Sequence, residues 1–137
     1  MRPLTRWLAA CGLLLIASGA QAALHLKLQT EGLSPAEQQA SQALLDEAMQ
    51  SLPPRFIEQL DRQILVGWTD DMPANAYGQA SLVSELDLNR KLLASLTDGS
   101  AATEQTNRPH STVRRELLAT VLHELTHIYD RARLWPA

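Results

Sequence analysis

The residues His123-Glu124-Leu125-Thr126-His127 carry the chemistry most directly legible in this chain. An α-helix turns once in about 3.6 residues, so the two histidines leave one face a turn apart and can bind a single tetrahedral zinc ion. Glu124 stands beside them, where it can hold a water bound to that ion. Zinc lowers the water's pKa and Glu124 accepts its proton as it attacks a carbonyl, which is metal-assisted hydrolysis of a peptide bond.

The helix that must position this motif is predicted over Thr112 to about Arg133, with Ser111 as its cap and Trp135-Pro136 ending it. On a wheel of about 100° per residue, Val113, Leu117, Leu118, Val121, Leu122, Leu125, Ile128, Tyr129 and Ala132 fill one broad half. Glu116, His123, His127 and Asp130 fall on the opposite side. A polar stripe holding two histidines and two carboxylates fits a metal cleft backed by a buried helix. It also fits the plain solvated face of an amphipathic helix. Asp130 is a candidate to accept a hydrogen bond from the free ring nitrogen of His127, or to pair with Arg133. Glu116 either lines the cleft or is a surface carboxylate, the second being favoured.

Upstream, Leu24, Leu26 and Leu28 alternate with His25 and Lys27, predicting a half-buried strand over Ala23–Gln29. Ser34-Pro35-Ala36-Glu37 reads as a capping box for a helix to about Leu52, and Pro53-Pro54 admits a short helix over Arg55–Asp61. Ile64–Trp68 predicts a second strand, Asp70–Tyr77 a loop, Ala80–Leu88 a third strand and Asn89–Leu96 a helix. Thr97–His110 is a polar linker, and there is no internal repeat. The pattern is an α+β domain in which a small mixed sheet packs on the apolar half of the long helix.

The full chain has 137 residues and a net charge of −3, so no positive field exists to attract nucleic acid. Part of it reads as a leader: Arg2 and Arg6, an apolar run from Trp7 to Ala17, and small residues at Ala20 and Ala22. This predicts a secretory signal peptide over 1–22, cut after Ala22, with export to the periplasm or beyond. The run is too short for a transmembrane helix, which needs about 20 apolar residues. A lipoprotein cut at Cys11 is disfavoured, because it would strand Gly12–Ala20 outside. Cleavage after Ala22 discards the sole cysteine and leaves a domain over 23–137 that must hold together without disulfides.

HELTH, from His123 to His127, resembles the zinc helix of the zincin metallopeptidases and has the letters found in thermolysin-like enzymes. The chain is also similar to uncharacterised periplasmic proteins of proteobacteria with a signal peptide and this helix. The resemblance implies a zincin-like fold, His123 and His127 as Zn2+ ligands, Glu124 as general base, and a peptide or protein substrate. It further implies that a strand before the zinc helix, here Ala80–Leu88, aligns the substrate backbone by strand addition.

The sequence departs from two branches of that family. Metzincins continue with a glycine and a third histidine where this chain has Asp130 and Arg133, and the thermolysin-like third ligand is a later glutamate, whereas no carboxylate follows Asp130. A catalytic zinc takes three protein ligands and a water. Either His110, Glu85 or Asp87 completes the set, or the domain is truncated at its C-terminus; truncation is the preferred reading. The leading expectation is a zinc metallopeptidase. The alternative is a non-catalytic cell-envelope binding or scaffold module of the same fold, or an inactive fragment of such an enzyme. Asp70, Asp71 and Asn75 fit no calcium loop and read as a polar turn.

Overall fold

The computed structural model describes residues 23–81, 84–97 and 110–134. The expected leader over 1–22 with Cys11 and the expected cleavage point, most of the polar linker, and the expected Trp135-Pro136 stop lie outside the described residues. Four strands, β1 (His25–Leu28), β2 (Gln63–Thr69), β3 (Gly78–Ser81) and β4 (Glu85–Asn89), form one mixed sheet in the order β1-β2-β4-β3. Four helices join them: α1 (Pro35–Ser51), α2 (Pro54–Gln59), α3 (Leu93–Thr97) and α4 (His110–Leu134). β1 pairs parallel with β2 and β2 parallel with β4, while β3 runs antiparallel to β4 at the sheet's edge.

Local chemistry explains most of these elements. Ser34 Oγ accepts from the Glu37 amide at 3.2 Å and the Glu37 carboxylate accepts from the Ser34 amide at 2.9 Å, so both arms of the capping box start α1. Its residues Ser41, Leu44, Leu45 and Ala48 are buried, at the spacing of one helical stripe. The Ser41 hydroxyl in that stripe accepts from Trp68 Nε1 at 3.0 Å, tying α1 to β2.

Strand alternation decides the sheet's faces. Leu24 and Leu26, Ile64 and Val66 on β2, and Leu86 and Leu88 on β4 point into the core with almost no exposure. Against them pack α1, α3 and α4. Along α4, Val113, Leu117, Val121, Leu125 and Ile128 are each 0% exposed. Full burial of such a side chain contributes about 1.5–3 kcal/mol. Leu118, Leu122, Tyr129 and Ala132 pack at the margins of the same core, so the apolar half read on the wheel is the half that packs.

Three expectations need correction. The single strand expected over Ala80–Leu88 is two: Ala80 pairs with Leu86 and Ser81 with Glu85, so the chain reverses between them. One continuous strand would have carried Val83 and Ser84 through a break in the apolar alternation, and antiparallel pairing removes that conflict. Asn89 does not begin a helix but ends β4; its Oδ1 accepts from the Lys91 amide at 3.1 Å and starts a 3₁₀ turn over Arg90–Leu92 that leads into α3. His110 is the first residue of α4 rather than part of the linker, so Ser111 lies inside that helix.

Fully buried Asn89 also fixes the loop before β3. Its Nδ2 donates to the Pro73 carbonyl at 2.9 Å and to the Ala76 carbonyl at 2.7 Å, while Lys91 Nζ donates to the Met72 carbonyl at 2.7 Å. The segment holding Asp70, Asp71 and Asn75 is thus a tied polar turn that delivers Tyr77 to the edge strand.

Candidate metal centre

His123 and His127 sit on the side of α4 away from the buried leucines, both exposed, and Glu124 between them is half-buried. Their Nε2 atoms are 3.0 Å apart and the rings meet edge to face at 89°. One donor atom from each of His123, Glu124 and His127 lies within 4.8 Å of the others, a set that could hold a metal ion. Two nitrogens at about 2.0–2.1 Å from a tetrahedral ion stand roughly 3.3 Å apart, so the pair needs only a few tenths of an ångström to accommodate one.

The edge strand supplies the other wall. The Asn89 amide donates to the carbonyl of Tyr77, just before β3, at 2.9 Å, which makes Gln79 and Ser81 the residues of β3 that bond to β4. The intervening Gly78 and Ala80 turn their backbone N–H and C=O groups outward. The Ala80 amide donates to Glu124 Oε2 at 2.9 Å, and the Ala80 carbonyl accepts from Arg131 Nη1 at 3.4 Å. A cleft of about 450 Å³ opens beside them, lined by Tyr77, Gly78, Ala119, Thr120, His123 and Glu124.

Gly78 is what lets the strand lie this close to α4. A Cβ there would stand 3.0 Å from the Asp87 carbonyl oxygen, from Leu88 Cδ2 and from Thr120 Cγ2. Thr120 is held in turn by a hydrogen bond from its hydroxyl to the Glu116 carbonyl at 2.8 Å. Glu116 itself is half-buried and is not among the residues lining the cleft.

The upstream candidates for a third ligand do not join the set. Leu86 and Leu88 face α4, so Glu85 and Asp87, which alternate with them on β4, face the opposite side of the sheet. Burial, and then the Glu85 carboxylate on the same face, raise the Asp87 carboxyl above its ordinary value. His110 lies thirteen residues before His123 on the same helix; at about 1.5 Å per residue that is roughly 20 Å along the axis. Among the described residues only His123, Glu124 and His127 converge.

Asp130 is exposed, and no hydrogen bond joins it to His127. Nor does it take Arg133, whose Nη1 donates to the Tyr129 hydroxyl at 3.2 Å and whose guanidinium lies 5.4 Å from that ring's centre. Tyr129 also stacks on Phe56, with ring centres 4.8 Å apart, which docks the end of α4 on α2. Two residues of the site, Tyr77 and Arg131, carry no signal in the sequence. Tyr77 reaches the histidines only through the hairpin, and the Ala80 carbonyl that Arg131 contacts comes from the same strand. A larger hollow of about 660 Å³ beside Lys27, Leu65, Trp68 and Arg90 shares no lining residue with the cleft.

The profile of one family, described as a domain of unknown function (DUF7844), matches residues 25–137. The chain belongs to the DUF7844 family. The DUF7844 match spans β1 through α4, so the sheet, the edge strand and the histidine helix all lie within it. No curated protein and no solved structure matches the chain. Among the described residues of this DUF7844 chain, no helix is long and apolar enough to cross a membrane.

Proposed function

We propose that this DUF7844 chain is a zinc-dependent metallopeptidase domain of zincin-like fold, acting on a peptide or protein in the periplasm. The observation that carries the reading is the convergence of His123, Glu124 and His127 beside an antiparallel edge strand. His123 and His127 would hold Zn2+ through their Nε2 atoms, and a bound zinc ion would supply Lewis acidity, polarising a carbonyl and acidifying water. Glu124 is the general base, its carboxylate held at the mouth of the cleft by the Ala80 amide. The outward backbone groups of Gly78 offer an extended peptide its first partners on β3. The buried leucine face of α4 keeps both imidazoles on one rigid element, as a positioned metal site needs. The leader over 1–22 supports an exported location.

A second reading has its own observation. With three residues converging and one of them the base, two protein ligands would remain for a metal among the described residues, one fewer than a catalytic zinc normally takes. That favours a non-catalytic envelope module, or an inactive fragment, that keeps the fold. Metal content tests the centre itself: protein produced with zinc should carry about one ion per chain, and His123→Ala and His127→Ala each less than about 0.1. Wild-type protein free of zinc under those conditions would remove the metallopeptidase reading.

A further inference from the structure

An edge strand normally leaves its outward amides and carbonyls to water or to an incoming strand. At Ala80 both outward groups are taken, and both by α4. Glu124 Oε2 accepts from the amide at 2.9 Å, and Arg131 Nη1 reaches the carbonyl at 3.4 Å. Glu124 and Arg131 are seven residues apart, two turns along one face, and His127 projects from between them. The Ala80 peptide is therefore held directly over the stretch of helix that carries the histidine pair. Gly78, one outward position earlier, lies in the cleft wall, and its N–H and C=O take no partner among the described residues.

We propose that Glu124 and Arg131 form a latch on the backbone of Ala80, holding its N–H and its C=O, and that an extended peptide reaches the histidine pair along β3 only by replacing those two contacts. Arg131 is then a positioning residue: it fixes the edge strand and, through it, the orientation of Glu124. A docking strand would pair first at Gly78, whose outward groups are open, and then compete for Ala80. The latch itself follows from the contacts of the chain alone, whereas the identity of what opens it rests on the peptidase reading above.

Amide hydrogen exchange followed by NMR on the metal-free full chain tests the latch. The Ala80 amide should exchange at least tenfold more slowly than that of Gly78. Glu124→Ala should abolish the difference, while Glu124→Gln, which keeps an acceptor oxygen, should retain part of it. Unchanged exchange at the Leu125 amide shows that the variants stay folded. Equal rates at Ala80 and Gly78 in the wild type, or an Ala80 rate indifferent to Glu124→Ala, would overturn the latch. For access, the blocked pentapeptide of five alanines is titrated into metal-free wild type and Arg131→Ala. At least threefold tighter binding to Arg131→Ala is expected; equal or weaker binding, or none to either, overturns the gating role. None of these measurements uses zinc, so their failure is separate from a failure to find metal in the protein.

Discussion

The Ala80 amide donates to Glu124 Oε2 at 2.9 Å across 44 residues of sequence, joining the edge of the sheet to the centre of the candidate metal site. Strand and helix are packed tightly at Gly78, where a methyl group would meet Thr120 Cγ2 and Leu88 Cδ2 at 3.0 Å, so the hydrogen bond joins two closely fitted elements. It also places the one carboxylate of the motif at the mouth of the cleft, beside the exposed imidazole of His123.

If Glu124 is the base, Glu124→Gln should lower kcat/KM on a peptide library by about 100-fold or more, the usual contribution of a positioned proton acceptor. Zinc content should stay at the wild-type level, since the histidines hold the ion. Turnover unchanged by the substitution would contradict the assignment.

Leu125 belongs to the same five-residue motif but points the other way, into the core at 0% exposure. Leu125→Ala should therefore cost about 2–5 kcal/mol in stability through lost burial and a residual cavity. Urea unfolding measures it, and a loss under about 1 kcal/mol would mean that this face of α4 is not packed as described.

Gly78→Ala places a methyl 3.0 Å from the backbone oxygen of Asp87, so the two strands must separate by a few tenths of an ångström to take it. The expected cost is about 1–3 kcal/mol, with β3 displaced from α4. A fully stable variant with an unshifted Ala80 amide resonance would show that the contact has slack.

Asp87 gives a pH signature. Its carboxyl is raised above the ordinary value of 3.8, first by burial and then by Glu85. The folded state thus binds this proton more tightly than the unfolded chain does. That advantage is complete below the unfolded value and is lost as pH rises through the raised folded one. At about pH 7 the charged carboxylate is the disfavoured form, so Asp87→Asn should be more stable than wild type there. The gain should shrink toward zero as pH falls to about 4. Urea midpoints of the two proteins across that range decide it, and a gain independent of pH would assign the effect to something other than charge.

The elements legible in the sequence were those whose cause is local. The capping box from Ser34 to Glu37, the leucine stripe of α4 and the one-turn spacing of His123 and His127 each depend on residues within a few positions of one another. The alternation that reads out Leu24 to Leu28 and Ile64 to Val66 is local in the same way. The hairpin of β3 and β4 is not legible in the sequence, because period-two alternation looks the same whichever way the chain then runs.

By itself, then, the sequence determined that two histidines and a glutamate share one face of a core-anchored helix, because helical periodicity is a property of neighbouring residues. Only the tertiary structure decided what faces them. The antiparallel pairing of β3 with β4 makes β3 an edge strand, turns Gly78 and Ala80 outward, and brings Tyr77 to the cleft and the Ala80 carbonyl to Arg131. The same alternation sends Glu85 and Asp87 to the far side of the sheet. Those outcomes are set by which strands pair and in what register, and burial across the whole domain fixes that choice.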